Sequence, residues 1–81
     1  MSLKLTDAVK NNIYLVRGMN LPFKTAKRLE ALGMTSGAKI VVLNKKKSAL
    51  VAEFRGTRFA LGREVARNIE IVGAISNRPP K

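Results

Sequence analysis

The chain has 81 residues, with 16 Lys or Arg against five Asp or Glu, for a formal charge of +11. One domain is expected at this length, and 46% apolar residues is an ordinary content for a folded chain rather than a disordered one. Neither Cys nor His occurs, which excludes disulfides, thiolate metal sites and cysteine nucleophiles, and removes the commonest general base and transition-metal ligand.

Residues 1–4 read as an N-terminal lead-in, in which an expression remnant is allowed for. Residues 5–74 read as the domain, and 75–81 as a flexible tail ending in Arg78, Pro79, Pro80 and Lys81. No run approaches the roughly 18 apolar residues of a membrane span, and no apolar signal-peptide region opens the chain. A cytoplasmic location is therefore expected. The excess of cations points to an acidic partner (nucleic acid, an anionic membrane surface or an acidic protein) or serves only solubility.

The first predicted element is a strand over 13–16, ending before Gly18. Tyr14 and Val16 share one face and Ile13 and Leu15 the other, and four apolar residues in a row leave either face free to be inward. A helix is predicted from Pro22 to Leu32, with Asn20 as cap, Pro22 in the first turn and Gly33 in the left-handed position past its end. Pro22, Ala26, Leu29 and Leu32 or Gly33 form the inward stripe, while Lys24, Lys27 and Arg28 make the outer face basic. Glu30 is expected to pair with Lys27 in solvent.

Thr35, Ser36 and Gly37 read as a turn into a strand from Ala38 to Leu43. The run from Asn44 to Ser48, with Lys45, Lys46 and Lys47, is a short connection. In the next strand, over 49–55, Leu50, Ala52 and Phe54 alternate with Val51, Glu53 and Arg55, the pattern of a sheet with one solvated face. Gly56 and Thr57 read as a hairpin turn, followed by a strand from Arg58 to Leu61 with Phe59 and Leu61 inward. One helical turn within 62–67 leads into a last strand from Ile69 to Val72. About five short strands at tight spacing predict a mostly β fold, a small barrel whose closure removes exposed edges.

The chemistry these residues permit is narrow. Asp7, Glu30, Glu53, Glu64 and Glu70 each stand alone in their segments, as surface charges do. No activated-hydroxyl arrangement, Gly-rich phosphate loop or Walker sequence is present. Met1, Met19 and Met34 suit core filling better than metal ligation. No enzyme, no cofactor and no metal site is expected, and what remains is surface. A single-strand nucleic-acid binder adds aromatic platforms to its basic groove, and of Tyr14, Phe23, Phe54 and Phe59 the last two are already assigned to the core.

Three ordered blocks carry a resemblance: Leu5-Thr6-Asp7-Ala8, then Leu32-Gly33-Met34-Thr35-Ser36-Gly37 with the strand to Leu43, then Arg55-Gly56-Thr57-Arg58-Phe59-Ala60-Leu61. With the helix from Lys27 to Leu32, they make the chain similar to the ferrous iron transport protein A (FeoA) family over about residues 5–72. The resemblance implies an SH3-like β-barrel with a helix inserted after the first strand. It also implies a cytoplasmic accessory role beside the ferrous-iron permease FeoB, whose soluble part is a GTPase. The same module occurs at the end of some metal-dependent repressors, so standalone copies are also read as regulators. Many members carry a longer second hairpin with a Pro-Leu-Gly-Asp-like tip, where this chain has only the run over 44–48.

An adaptor needs no ligand set, only a surface. The expected contact residues are Lys24, Lys27 and Arg28 on the helix and Lys45, Lys46 and Lys47 at the hairpin tip, chosen by exposure and charge. Leu29 is assigned to the core. The partner expected is FeoB, with peripheral association to an anionic membrane surface. A basic nucleic-acid-binding barrel and a standalone metal-responsive regulatory domain are the alternatives.

Overall fold

The computed structural model describes residues 3–73, so the predicted tail over 75–81 lies outside the described residues. Strand β1 (Leu3–Lys4) is followed by a 3-10 turn (Leu5–Asp7), β2 (Ile13–Met19), helix α1 (Phe23–Ala31), β3 (Lys39–Lys45), β4 (Ala49–Phe54), β5 (Thr57–Gly62), helix α2 (Arg63–Arg67) and β6 (Ile69–Gly73). All six strands form one sheet in the order β1-β6-β2-β3-β4-β5, with every neighbouring pair antiparallel.

The mostly β expectation holds, but the closed barrel of about five strands does not. Among the described residues the sheet stays open between β1 and β5. The added strand comes from the stretch read as a lead-in, where Leu3 pairs with Ile71 and Lys4 with Glu70. Among the described residues β1 spans two residues, and these pair with β6 rather than β5. The 3-10 turn and α2 instead pack together over that end of the core, burying Leu5, Ala8 and Ala66 completely.

Alternation decides which face is inward. Tyr14 and Val16, Ile40 and Val42, Leu50, Ala52 and Phe54, Leu61, and Ile69 and Ile71 all turn to the core, where Leu29 and Met34 join them. Among the described residues no polar side chain is buried. The other face carries half-buried Ile13, Leu15, Val41, Leu43 and Val51. Two one-residue offsets, at Arg17 in β2 and Leu43 in β3, adjust the register.

α1 starts one residue later than predicted. Pro22 occupies the cap position with no side-chain cap, and the Asn20 N–H donates instead to the Asn68 carbonyl at 2.8 Å. The helix ends as expected, because Gly33 takes φ +110°. The Gly33 N–H donates to Glu30 O and the Met34 N–H to Leu29 O, both at 3.0 Å, the paired bonds of a Schellman stop, and Met34 and Leu29 bury together beneath it. The inward stripe is narrower than predicted, for Pro22 is exposed and Leu32 keeps 42% of its surface.

The β4–β5 turn is also shifted by one residue. Arg55 (φ 55°) and Gly56 (φ 77°) are its two central residues, and Thr57 pairs with Phe54. A two-residue hairpin twists correctly when both central residues have positive φ, and Arg55 accepts that conformation beside the glycine.

Candidate functional site

α1 lies in the connection from β2 to β3 and commits only Leu29 fully to the core, with Thr25 and Ala26 half buried beside it. At 100° per residue, Phe23, Lys24, Lys27, Arg28 and Ala31 occupy the opposite side, and all are exposed. Lys24, Lys27 and Arg28 therefore share one solvent face, as expected.

At the N-terminal end of that face stands an aromatic ring. Phe23 is 76% exposed, the most exposed of the large apolar side chains among the described residues, and Lys27 Nζ sits 5.6 Å from its ring centroid. The attraction is that of a cation for the negative face of a π-system. Lys27 thus turns to Phe23 and not to Glu30. The one ion pair among the described residues is Arg67–Glu64 at 3.6 Å, and both side chains are largely exposed. Phe23 at the first position of a helix carries no periodic signal, because Pro22 and Leu29 alone can set the inward direction.

Arg55 extends the cationic surface. Its side chain lies against Gly33 at the C-terminal end of α1, where a cation also complements the partial negative charge of the helix end. The sequence pattern places Arg55 on the preceding strand and carries no sign of this contact.

The hairpin tip is a different kind of patch. Lys45 is the last residue of β3 and half buried, with Nζ donating to Thr6 O at 3.2 Å. The Lys46 N–H donates to Ala49 O at 2.7 Å, and its carbonyl accepts from Arg63 Nε at 3.0 Å. Lys46 and Lys47 are exposed. Of the three lysines expected to form one contact, Lys45 is occupied in holding the 3-10 turn. α1 enters β3 at its start and the tip leaves at its end, about 20 Å of strand apart.

The remaining groups assemble no reaction centre. Among the described residues no three carboxylates stand together as metal ligands, and no helix is long and apolar enough to cross a membrane. A shallow depression lined by Lys4, Met19, Asn20, Arg67, Asn68 and Glu70 mixes both signs of charge. Phe54 and Phe59 stack at 4.5 Å between centroids in and beside the core, which leaves Phe23 as the aromatic ring most open to a partner.

Among curated proteins none matches this sequence. Among solved structures, a crystal structure of an iron uptake regulatory protein (FeoA) superposes with a TM-score of 0.79 at 23% identity, covering 89% of this chain and 97% of that one. The FeoA protein from Chlorobium tepidum gives 0.86 at 20% identity, covering 94% and 74%. The apo form of the manganese-activated repressor ScaR gives 0.77 at 22% identity, covering 89% of this chain and only 35% of that one. Identities this low establish a common fold. The FeoA domain model matches residues 3–72, from β1 into β6 and so across nearly every element described above; the chain belongs to the FeoA family, linked to ferrous iron transport.

Proposed function

We propose that this FeoA-domain chain is a non-enzymatic accessory protein of ferrous iron uptake. In this reading it docks on the cytoplasmic side of the membrane permease FeoB and modulates its transport or GTPase activity. The observation that carries the reading is the outer face of α1, where Phe23 is open to solvent with Lys27 over its ring and shares the face with Lys24 and Arg28. An exposed aromatic with one cation over its ring and an arginine on the same helix face supplies the residue types that concentrate where partners bury surface, and the two lysines add charge at the rim. The exposed Lys46 and Lys47 supply a second, purely electrostatic contact.

The same cations favour residence near an anionic membrane leaflet, where each Lys or Arg contributes about 1 kcal/mol. That raises the local concentration beside a membrane partner without a lipid pocket. Iron is the cargo of the partner in this reading, and the chain itself contributes no imidazole or thiol to hold it.

Co-purification of the chain with the permease tests the reading. Wild type should be retained, K24E/K27E/R28E should lose retention, and K46E/K47E should weaken it. Retention untouched by both reversals would reject these surfaces. Submicromolar binding to RNA or DNA at physiological salt with a steep salt slope would instead identify a nucleic-acid binder. Stoichiometric ferrous-iron or zinc binding by calorimetry would identify a metal-responsive domain.

A further inference from the structure

Among the described residues β5 (Thr57–Gly62) pairs on one side only, with β4. We infer that this edge accepts an extended acidic segment of a partner protein as an additional strand.

The register shows which groups are free. Phe54 and Thr57 close a two-residue hairpin, so they form a hydrogen-bonded pair, as do Ala52–Phe59 and Leu50–Leu61 two and four residues on. The intervening residues of β5, Arg58 and Ala60, therefore aim their N–H and C=O groups away from β4, toward the open edge. Their side chains are exposed on the outer face, while Leu61 is buried and Phe59 is held against Phe54 by ring stacking. The edge is thus rigid on its inner side and unobstructed on its outer one.

Exposed edges are normally blunted by proline, a bulge, shortness, inward-pointing charge or charge along the edge. Of these β5 has only the single charge of Arg58, which an acidic strand would pair with rather than be repelled by. β5 runs six residues, contains no proline, and keeps an unbroken register with β4, whereas the β2–β6 and β3–β4 pairings each shift by one residue. The opposite edge, β1, offers two residues among those described. Ala60 and Gly62 present little bulk on the outer face, which leaves room for the side chains of an incoming strand.

Charge selects the occupant. Arg58 stands on the edge itself, while Arg55, in the turn before it, has its side chain laid against Gly33 and adds positive charge only from that distance. Glu53 lies opposite Arg58 in register but forms no ion pair with it. A second copy of the chain would bring another +11 to the contact, so self-pairing is opposed and an acidic strand is favoured. Backbone bonds supply the attraction and Arg58, with the overall positive charge, the sign preference, the mode of strand addition. The inference goes beyond the permease reading, since it concerns this edge whichever protein supplies the strand.

The test uses the whole chain and a blocked peptide alternating Glu and Val, with a control peptide in which every Val is Pro so that charge is kept and strand pairing is not. Backbone amide exchange is followed by NMR. Saturation with the Glu/Val peptide should slow exchange at Arg58 and Ala60 by roughly tenfold or more, and the proline control should leave both unchanged. Ala60→Pro removes an outward donor that the β4 ladder does not use and should weaken binding about tenfold, consistent with proline being tolerated on edge strands. Arg58→Glu should weaken it several-fold. Equal binding of the two peptides, protection falling on α1 amides instead, or full binding by folded Ala60→Pro would overturn the inference. Should Ala60→Pro not fold, the exchange pattern of wild type and the Arg58→Glu affinity decide. Self-association of the free chain that protects the same two amides would also overturn it, in favour of a second copy.

Discussion

The Arg55 side chain lies across Gly33, so that a Cβ at position 33 would overlap Arg55 Cδ and approach Nε to 2.9 Å. Two turns separated by more than twenty residues of chain are thereby pressed together, one ending α1 and the other joining β4 to β5. Gly33 is required for its φ of +110°, and an added Cβ would in addition push the exposed Arg55 side chain aside. Gly33→Ala should therefore cost about 2–3 kcal/mol, and Gly37→Ala, at φ +90° but in open space, only about 1 kcal/mol. Urea unfolding of both variants measures the difference. In an Arg55→Ala background the Gly33→Ala penalty should fall toward that of Gly37→Ala, the coupling expected of residues in contact.

Tyr14 anchors the segment between the 3-10 turn and β2. Its hydroxyl accepts the Val9 N–H at 2.9 Å while the residue is only 6% exposed. Tyr14→Phe keeps the packing and removes the acceptor, so it should cost about 1 kcal/mol. Exchange at the Val9 amide should accelerate more than exchange at core-strand amides, which separates a local release from global loosening.

The three hairpin lysines should separate by role. Lys45→Met removes the bond to Thr6 O and should lower stability by about 0.5–1.5 kcal/mol. Lys47→Glu should stay within about 0.5 kcal/mol, as surface substitutions generally do. Denaturation curves of the two variants are the check. They also show that a Lys45 variant is a poor probe of docking, because a loss of binding there would include a loss of fold.

Phe23→Ala should leave stability within about 0.5 kcal/mol, since the side chain is already in water. Its effect should appear in association, measured as retention by the permease and as partition onto vesicles containing anionic lipid. The triple variant K24E/K27E/R28E should lower vesicle partition more steeply, and raised salt should reduce the wild-type value toward it. A Phe23→Ala chain that associates as wild type would show that charge acts there without the ring.

Period-two alternation alone marks Leu50, Ala52 and Phe54 of β4 as inward, because a strand whose opposite face is solvated must alternate. β2 is not legible in the same way, for Ile13, Leu15 and their neighbours on β3 make its outer face aliphatic as well. The sequence marks the β4–β5 turn one residue late, since glycine signals a turn and an arginine at positive φ carries no such mark. The cationic helix face is legible; the exposed ring at its N-terminal end is not.

By itself the amino-acid sequence determined the absence of imidazole and thiol, the excess of positive charge, the strand alternation and the glycine stop of α1, because each depends on residue type or near-neighbour spacing. Only the tertiary structure decided that the sheet stays open among the described residues, that Leu3 and Lys4 join it beside β6, that Lys45 is tied to Thr6 and that Arg55 covers Gly33. Those are meetings of segments distant along the chain, selected by which surfaces can be buried together, and local periodicity carries no record of them.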